Sequence, residues 1–237
     1  MSFIVTVYTS EGIIMASDSR TTYNTTLMNQ QGNKEIYFGT QTTDTTYKTF
    51  KCNSRIGIST CGDANINSMP ISGYIEKFIV EKVTEKSSVD DISESVRQYF
   101  FDVTSQTINT NFIVAGYDIG NLNPIVKKIT LIDGNILTID ASTPGACWDG
   151  EITTLSKLLT PMYSKNNEGV YVPVPNNVIN FSFFTLQDAI DFANYAVDVT
   201  IKTMAFENCA KTVGGPIDIL AIKPDRAFWI ARKELHA

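Results

Sequence analysis

Residues 3–20 read FIVTVYTSEGIIMASDSR, two apolar runs separated by a short polar link and followed by charged side chains. The runs at 3–8 and 13–17 are rich in β-branched and aromatic residues, which is typical of strands. Residues 10–12, Ser-Glu-Gly, supply turn formers between them. The stretch therefore predicts a tight β-hairpin at the start of the chain, so that the chain begins inside a sheet.

The chain has 237 residues, of which 43% are hydrophobic and 19% charged, the composition of an ordinary globular protein. We therefore expect a single domain spanning residues 1–237. The formal net charge of -6 argues against nucleic acid or a membrane surface as a partner, because both attract basic patches. The first residues carry no basic leader, and no stretch approaches the roughly 20 apolar residues that span a bilayer. These features predict a cytoplasmic protein.

The cysteines and the single histidine limit the chemistry that the chain can perform. Cys52, Cys61, Cys147 and Cys209 are scattered without a CxxC pair, so a zinc site is not expected. No other metal and no cofactor are expected either. Buried free thiols fit a reducing compartment. His236 lies next to the C-terminus, where chains usually fray. Ser-His-Asp, Cys-His and HExxH sites are thereby excluded, and a hydrolase would need a different base.

Hydrophobic periodicity divides the rest of the chain into strands and helices. Two helices have capping-box spacing at their starts, in SVDD at residues 88–91 and TLQD at 185–188. Residues 21–45 lack apolar periodicity and predict a long loop that is mobile or packs on another subunit. The other predictions are strands at 47–52, 55–61, 111–118, 124–132, 135–140, 217–223 and 227–232, helices at 66–83, 88–103, 151–163 and 185–206, and a loop or irregular strand at 164–181. This order predicts an α+β fold, a four-layer αββα sandwich of two antiparallel sheets.

Several segments, in the same order along the chain, resemble the proteasome-like branch of the N-terminal-nucleophile hydrolases. Residues 12–20 (GIIMASDSR) are similar to the strand near the start of proteasome subunits. Residues 47–50 and 56–62 resemble the active-site lysine strand and the strand leading into the glycine turn. Residues 112–118 are similar to the central strand, and 213–220 to the closing strand. The resemblance, which extends to Anbu-like bacterial proteins, implies the same αββα sandwich (the Ntn-hydrolase fold).

The resemblance implies that the first residue of the processed chain is the nucleophile, and this role falls on Ser2 once Met1 is removed. Its α-amino group, with an unperturbed pKa of about 7.7–8, would act as the base. Lys48 matches the family lysine, whose charge would lower the amine pKa and stabilise developing negative charge. Asp18 would orient that lysine, and the Gly62 N–H would donate to the oxyanion.

Two alternatives remain open for these residues. Asp18 and Arg20 could form an ordinary surface ion pair. Lys34 competes with Lys48 because it lies nearer to Asp18 in the sequence. The residues that follow Lys48 nevertheless match the family pattern better, and so does the separation of Lys48 from Gly62.

Other family positions extend the site. Asp198 looks like the aspartate that supports the nucleophile's amine, although it could equally be an exposed helix residue. Thr21, Thr60 and Ala64 would line the pocket for the residue before the cut, and their small size leaves room for a medium or large apolar side chain. Two family serines are replaced, because their positions fall on Asp149 and Ile201.

The leading hypothesis is therefore a threonine-type endopeptidase, here using serine, that cleaves peptide bonds within a homo-oligomeric ring or open ring. Its expected partners are copies of itself, a peptide or protein substrate, and, as a candidate, an ATP-dependent unfoldase. One rival is a catalytically silent assembly subunit, since a chain that retains Met1 lacks the free amine at Ser2. The other is an amidohydrolase of a small amide, because this catalytic core does not itself demand a peptide.

Overall fold

A computed structural model describes residues 2–29, 32–67, 69–104, 107–175 and 178–236. Met1, whose removal the resemblance implies, lies outside the described residues. Short pieces of the predicted loops at 21–45 and 164–181 and of the predicted helix at 66–83 also lie outside them.

The described residues form sixteen strands, four α-helices and a short 3-10 helix at Phe181–Phe183. The strands are β1 Phe3–Tyr8, β2 Ile13–Ser17, β3 Thr21–Met28, β4 Lys34–Thr43, β5 Thr49–Lys51, β6 Ile56–Gly62, β7 Asn65–Ile66, β8 Met69–Pro70, β9 Thr110–Gly116, β10 Ile125–Thr130, β11 Asn135–Ile139, β12 Gly145–Gly150, β13 Tyr163–Lys165, β14 Tyr171–Pro173, β15 Asp218–Ile222 and β16 Ala227–Ala231. The helices are α1 Ile71–Lys82, α2 Val89–Val103, α3 Thr153–Leu159 and α4 Leu186–Phe206.

Two five-stranded sheets form the frame of this α+β protein. The first has the strand order β12-β1-β2-β15-β16, and the second has the order β11-β10-β9-β6-β5. Every strand pair in both sheets is antiparallel. The predicted hairpin at the start of the chain is confirmed, because β1 and β2 pair directly and lie in the interior of the first sheet.

Three apolar clusters hold these elements together. One lies between the first sheet and helices α3 and α4, and another lies between the second sheet and helices α1 and α2. The third joins the two sheets, with Ile4 and Met15 from the first and Ile113 from the second. Since side chains alternate along a strand, β1 sends Phe3 to the helix side and Ile4 to the other sheet. Strand β1 is thus buried on both faces.

The prediction of a loop at residues 21–45 is wrong. Strands β3 and β4 form a separate two-stranded ribbon, with Thr21 opposite Thr43 at its base and Met28 opposite Lys34 towards its tip. Its outer half is exposed on both faces, so no alternation of apolar and polar residues marks it in the sequence. The available signal was the run of Thr and Tyr, residues that favour strands.

The remaining differences concern element bounds and one strand that was not predicted. Both predicted capping boxes are confirmed, at Ser88 before α2 and at Thr185 before α4. Helix α3 is shorter than predicted, and α1 begins only at Ile71, directly after Pro70. Strand β12 was not predicted at all.

Within the part of the chain that the structure describes, no helix is both long and apolar enough to cross a membrane.

Candidate active site

One pocket brings together most of the residues that the resemblance assigned. Its lining includes Ser2, Thr21, Lys48, Thr60, Gly62 and Ala64. These residues come from the start of β1, the base of the ribbon, and strand β6 with the chain on either side of it. The cavity has a volume of about 20 Å³, which is roughly the room that a single water needs.

The three small residues line the pocket as expected, and Tyr47 and Ile71 line it beside them. The size of the substrate group that this pocket accepts stays a prediction.

Asp18 is fully buried and connects three separate parts of the chain. Its Oδ1 accepts hydrogen bonds from the Phe3 N–H at 3.0 Å and from Lys48 Nζ at 2.8 Å. Its Oδ2 accepts from the backbone N–H groups of Arg20 and Gly214, both at 3.0 Å. A single carboxylate oxygen thus joins the residue after the proposed nucleophile to the lysine ammonium.

Lys48 is almost completely buried, and its Nζ also donates to the Arg20 carbonyl. Burial lowers the pKa of the Lys48 ammonium below its usual value of 10.5, while the adjacent Asp18 carboxylate acts in the opposite direction. The competing lysine, Lys34, is exposed and lies opposite Met28 on the ribbon. The structure therefore places Lys48, and not Lys34, against Asp18.

Gly62 ends strand β6, and its backbone N–H faces the edge of the strand on which Lys48 lies. The Thr60 N–H donates to the Lys48 carbonyl at 2.8 Å, and the Asp63 N–H donates to Asn109 on the opposite edge at 2.9 Å. Since N–H groups alternate between the two edges of a strand, the Gly62 N–H faces the same edge as that of Thr60, just beyond the end of β5. With φ at 110° and a would-be Cβ only 2.1 Å from the Asn109 carbonyl oxygen, this position requires glycine.

Ser2 is held by its backbone at the edge where β12 ends. Its carbonyl accepts a hydrogen bond from the Glu151 N–H at 2.8 Å. Gly150 has φ at 91°, and a Cβ there would lie 1.8 Å from the Ser2 carbonyl oxygen. The absence of a side chain at Gly150 is therefore what allows Ser2 to occupy its position.

Three residues at family positions are not among the described residues that line the pocket. The half-exposed carboxylate of Asp198 pairs with Lys202 one turn along α4, at 2.7 Å. This contact fits the alternative of an exposed helix residue. Asp149, at the position of a family serine, instead bonds Asn111 and Lys128, both at 2.9 Å. Ile201, at the second serine position, packs against the apolar cluster beneath α4.

Sequence reasoning missed the contacts of the Arg20 side chain, whose backbone N–H donates to Asp18. The Arg20 guanidinium forms two hydrogen bonds of 2.7 Å with Asp44, so the surface ion pair suggested between Asp18 and Arg20 is not formed. Arg20 also packs on Gly214, where a Cβ would lie 2.6 Å from the Arg20 Cζ. The glycine pair at 214–215 was the only sequence signal for this contact. Asp44 carried none, because it lies 24 residues from Arg20 within the predicted loop.

No protein-family model matches this chain, and no curated protein matches it significantly. The pocket must therefore be interpreted from its own chemistry. The residues that line it include Ser2, Lys48 and Gly62, which carry a hydroxyl, a buried ammonium and a backbone N–H. A hydroxyl, a positive charge and an amide donor are the groups that attack on a carbonyl requires.

Proposed function

We propose that this protein is a proteasome-like N-terminal-nucleophile hydrolase that cleaves peptide bonds with Ser2 after Met1 is removed. The observation that carries the proposal is the Asp18 Oδ1 atom, which accepts from both the Phe3 N–H and Lys48 Nζ. It links the chain at Ser2 to a buried cation in a pocket that Ser2, Lys48 and Gly62 all line.

In this proposal, the free α-amino group of Ser2 accepts the proton of the Ser2 hydroxyl as the oxygen attacks the substrate carbonyl. The Lys48 charge lowers the pKa of that amine and stabilises the tetrahedral oxyanion together with the Gly62 N–H. The amine then returns the proton to the leaving group, and water releases the acyl group from Ser2. No histidine is needed.

The fold gives this proposal independent support. Apolar clusters lie between helices α1 and α2 and the second sheet, between the two sheets, and between the first sheet and α3 and α4. This succession is the one expected of the four-layer αββα sandwich that the family uses.

The test is covalent labelling of a preparation made without an N-terminal tag. We expect its intact mass to lack Met1, and a β-lactone or epoxyketone to acylate or alkylate the chain at Ser2, as mapped by mass spectrometry. Ser2→Ala should abolish labelling, and Ser2→Thr should retain part of it. The labelling rate should rise with pH up to the pKa of the amine, at or below about 7.7–8, because only the neutral amine accepts a proton.

A catalytically silent assembly subunit is the second candidate. The observations that favour it are the water-sized cavity and the placement of Asp198 away from the pocket. A processed Ser2 that never reacts in a correctly assembled protein would establish this alternative. Activity that survives Ser2→Ala would remove Ser2 from the mechanism.

Both candidates require self-assembly, for which the ribbon offers a surface. Leu27, Met28, Ile36 and Tyr37 on its outer half are each about half exposed or more. An isolated two-stranded ribbon is only marginally stable in water, so it gains stability by packing these side chains on another copy.

We therefore expect light scattering to show an oligomer several times heavier than the 26.2 kDa chain. Replacing Leu27 and Ile36 together with serine should shift the population towards smaller species. A matched control is Ile119→Ser, which changes an exposed apolar residue in the connection between β9 and β10. A monomer at micromolar concentration, or equal shifts in both variants, would contradict the proposed role of the ribbon.

A further inference from the structure

The chain after β16 returns to the segment that carries Lys48, just before β5. Lys233 in this segment is buried, and its backbone N–H donates to Asp218 Oδ1 at 2.8 Å while its Nζ donates to Asp218 Oδ2. Asp218 begins β15 and lies opposite Ser17, the residue before Asp18. A second buried lysine–aspartate pair therefore adjoins the pair formed by Lys48 and Asp18.

Lys233 also fixes Tyr47, which directly precedes Lys48. Its Nζ lies 4.3 Å from the centroid of the Tyr47 ring, and the Arg232 Cζ lies 4.8 Å from the same centroid. The Tyr47 hydroxyl donates to the Lys233 carbonyl at 3.2 Å. Because Tyr47 lines the pocket, the C-terminal segment holds both a wall of the pocket and the backbone that presents Lys48.

The chain on the other side of Lys48 is fixed separately. The Thr49 hydroxyl bonds the Ser17 hydroxyl at 2.8 Å and the Ser59 hydroxyl at 2.9 Å, and all three residues are buried. Of the two neighbours of Lys48, Thr49 is therefore held by the sheets and Tyr47 by Lys233.

We propose that Lys233 is a positioning residue for Lys48, acting through its ion pair with Asp218 and its contacts with Tyr47. The inference rests on the proposed role of Lys48 at Ser2, and it adds a residue far along the chain to that site. Lys233 does not touch the reacting atoms. It determines where the Lys48 ammonium lies.

The electrostatics of the two lysines agree with this role. The Lys233 charge is one cause that lowers the pKa of Lys48, after burial and against the opposing effect of Asp18. Removing the Lys233 charge should therefore raise the pKa of Lys48. The other charged or titratable groups around the two lysines are Asp18, Asp44, Tyr47, Cys61, Asp218 and Arg232.

The deciding experiment follows the titration of Lys48 itself, by NMR of the full-length protein with isotope-labelled lysine and with Lys48→Arg to assign the signal. In Lys233→Met the midpoint should shift upward. Ser2 labelling should slow by on the order of 10-fold, less than the roughly 100-fold that a 1 Å misplacement of a catalytic group costs. Lys233→Arg keeps the positive charge and should restore the midpoint.

Two further variants separate this effect from loss of the fold. Lys233→Met leaves the Asp218 carboxylate buried without its cation. The double variant with Asp218→Asn removes both charges and keeps a side-chain oxygen that accepts from the backbone N–H at position 233. Lys77→Met removes an exposed lysine from α1 and should leave the Lys48 midpoint unchanged.

An unchanged Lys48 midpoint in folded Lys233→Met overturns the inference, as does a Lys233→Arg variant that behaves like Lys233→Met or a folded double variant that labels at the wild-type rate. Failure of the proposed function has a different signature, because wild-type Ser2 then does not label. The Lys48 titration does not depend on labelling, so it tests the electrostatic interaction between the two lysines in either case.

Discussion

Replacing Lys48 with alanine is expected to slow the reaction of Ser2 with a β-lactone by about 100- to 1,000-fold, the loss typical of removing one group that stabilises an oxyanion. The loss has two parts. The oxyanion loses a buried positive charge, and the amine of Ser2 loses the neighbour that lowers its pKa. The rate should therefore also need a higher pH to reach its plateau, with a midpoint closer to the ordinary value of about 7.7–8.

Lys34→Ala is the matched control, because Lys34 is exposed on the ribbon and should give an almost unchanged rate. Lys48→Ala leaves the Asp18 carboxylate buried without its cation, so the comparison is made on protein shown to be folded. In Lys48→Ala the Asp18 carboxylate still accepts from the backbone N–H groups of Phe3, Arg20 and Gly214. Equal rates for the two variants, measured on protein with a wild-type circular dichroism spectrum, would remove Lys48 from the mechanism.

The largest expected loss of stability comes from Gly150→Ala. The new Cβ would lie 1.8 Å from the Ser2 carbonyl oxygen, and the backbone there has φ at 91°. Strand β12 or Ser2 must move, which also breaks the hydrogen bond from the Glu151 N–H. We expect the free energy of unfolding to fall by about 3–5 kcal/mol, equivalent to a melting temperature lower by roughly 6–20 °C for a chain of this size.

Gly120→Ala separates the two causes of that loss. Gly120 has φ at 76°, but nothing lies within 4 Å of its would-be Cβ. It should show only the backbone penalty, of the order of 1 kcal/mol. Similar melting temperatures for the two variants in differential scanning calorimetry would mean that the end of β12 can move at little cost in free energy. The position of Ser2 would then not depend on Gly150.

Local sequence signals predicted the elements that bury one regular face or carry their own caps. The spacing of Ser88 with Asp91 and of Thr185 with Asp188 marked two helix starts, because a capping box involves residues only three positions apart. The ribbon and β12 escaped prediction for the opposite reason. The ribbon buries neither face along its outer half, and five of the six residues of β12 are partly exposed, so neither shows an alternation of apolar and polar residues.

The site was predictable only where the residues follow one another in recognisable segments. Asp18, Lys48 and Gly62 each lie in such a segment, and the structure brings them together with Ser2 or with each other. Lys233 was not predictable, because its partners Asp218 and Tyr47 lie 15 and 186 residues away and no local pattern relates them. Such contacts depend on how the chain folds back on itself, which no local pattern in the sequence displays.

The ribbon also bears on how the length of this chain can vary. Its two strands leave the body and return to it side by side, with Tyr23 opposite Gln41, and such partners have Cα atoms only about 5 Å apart. A two-residue turn can bridge that gap. Residues can therefore be inserted or removed beyond Tyr23 while the threonines at the pocket keep their places, which makes this the position where the chain can change in size without rebuilding its core.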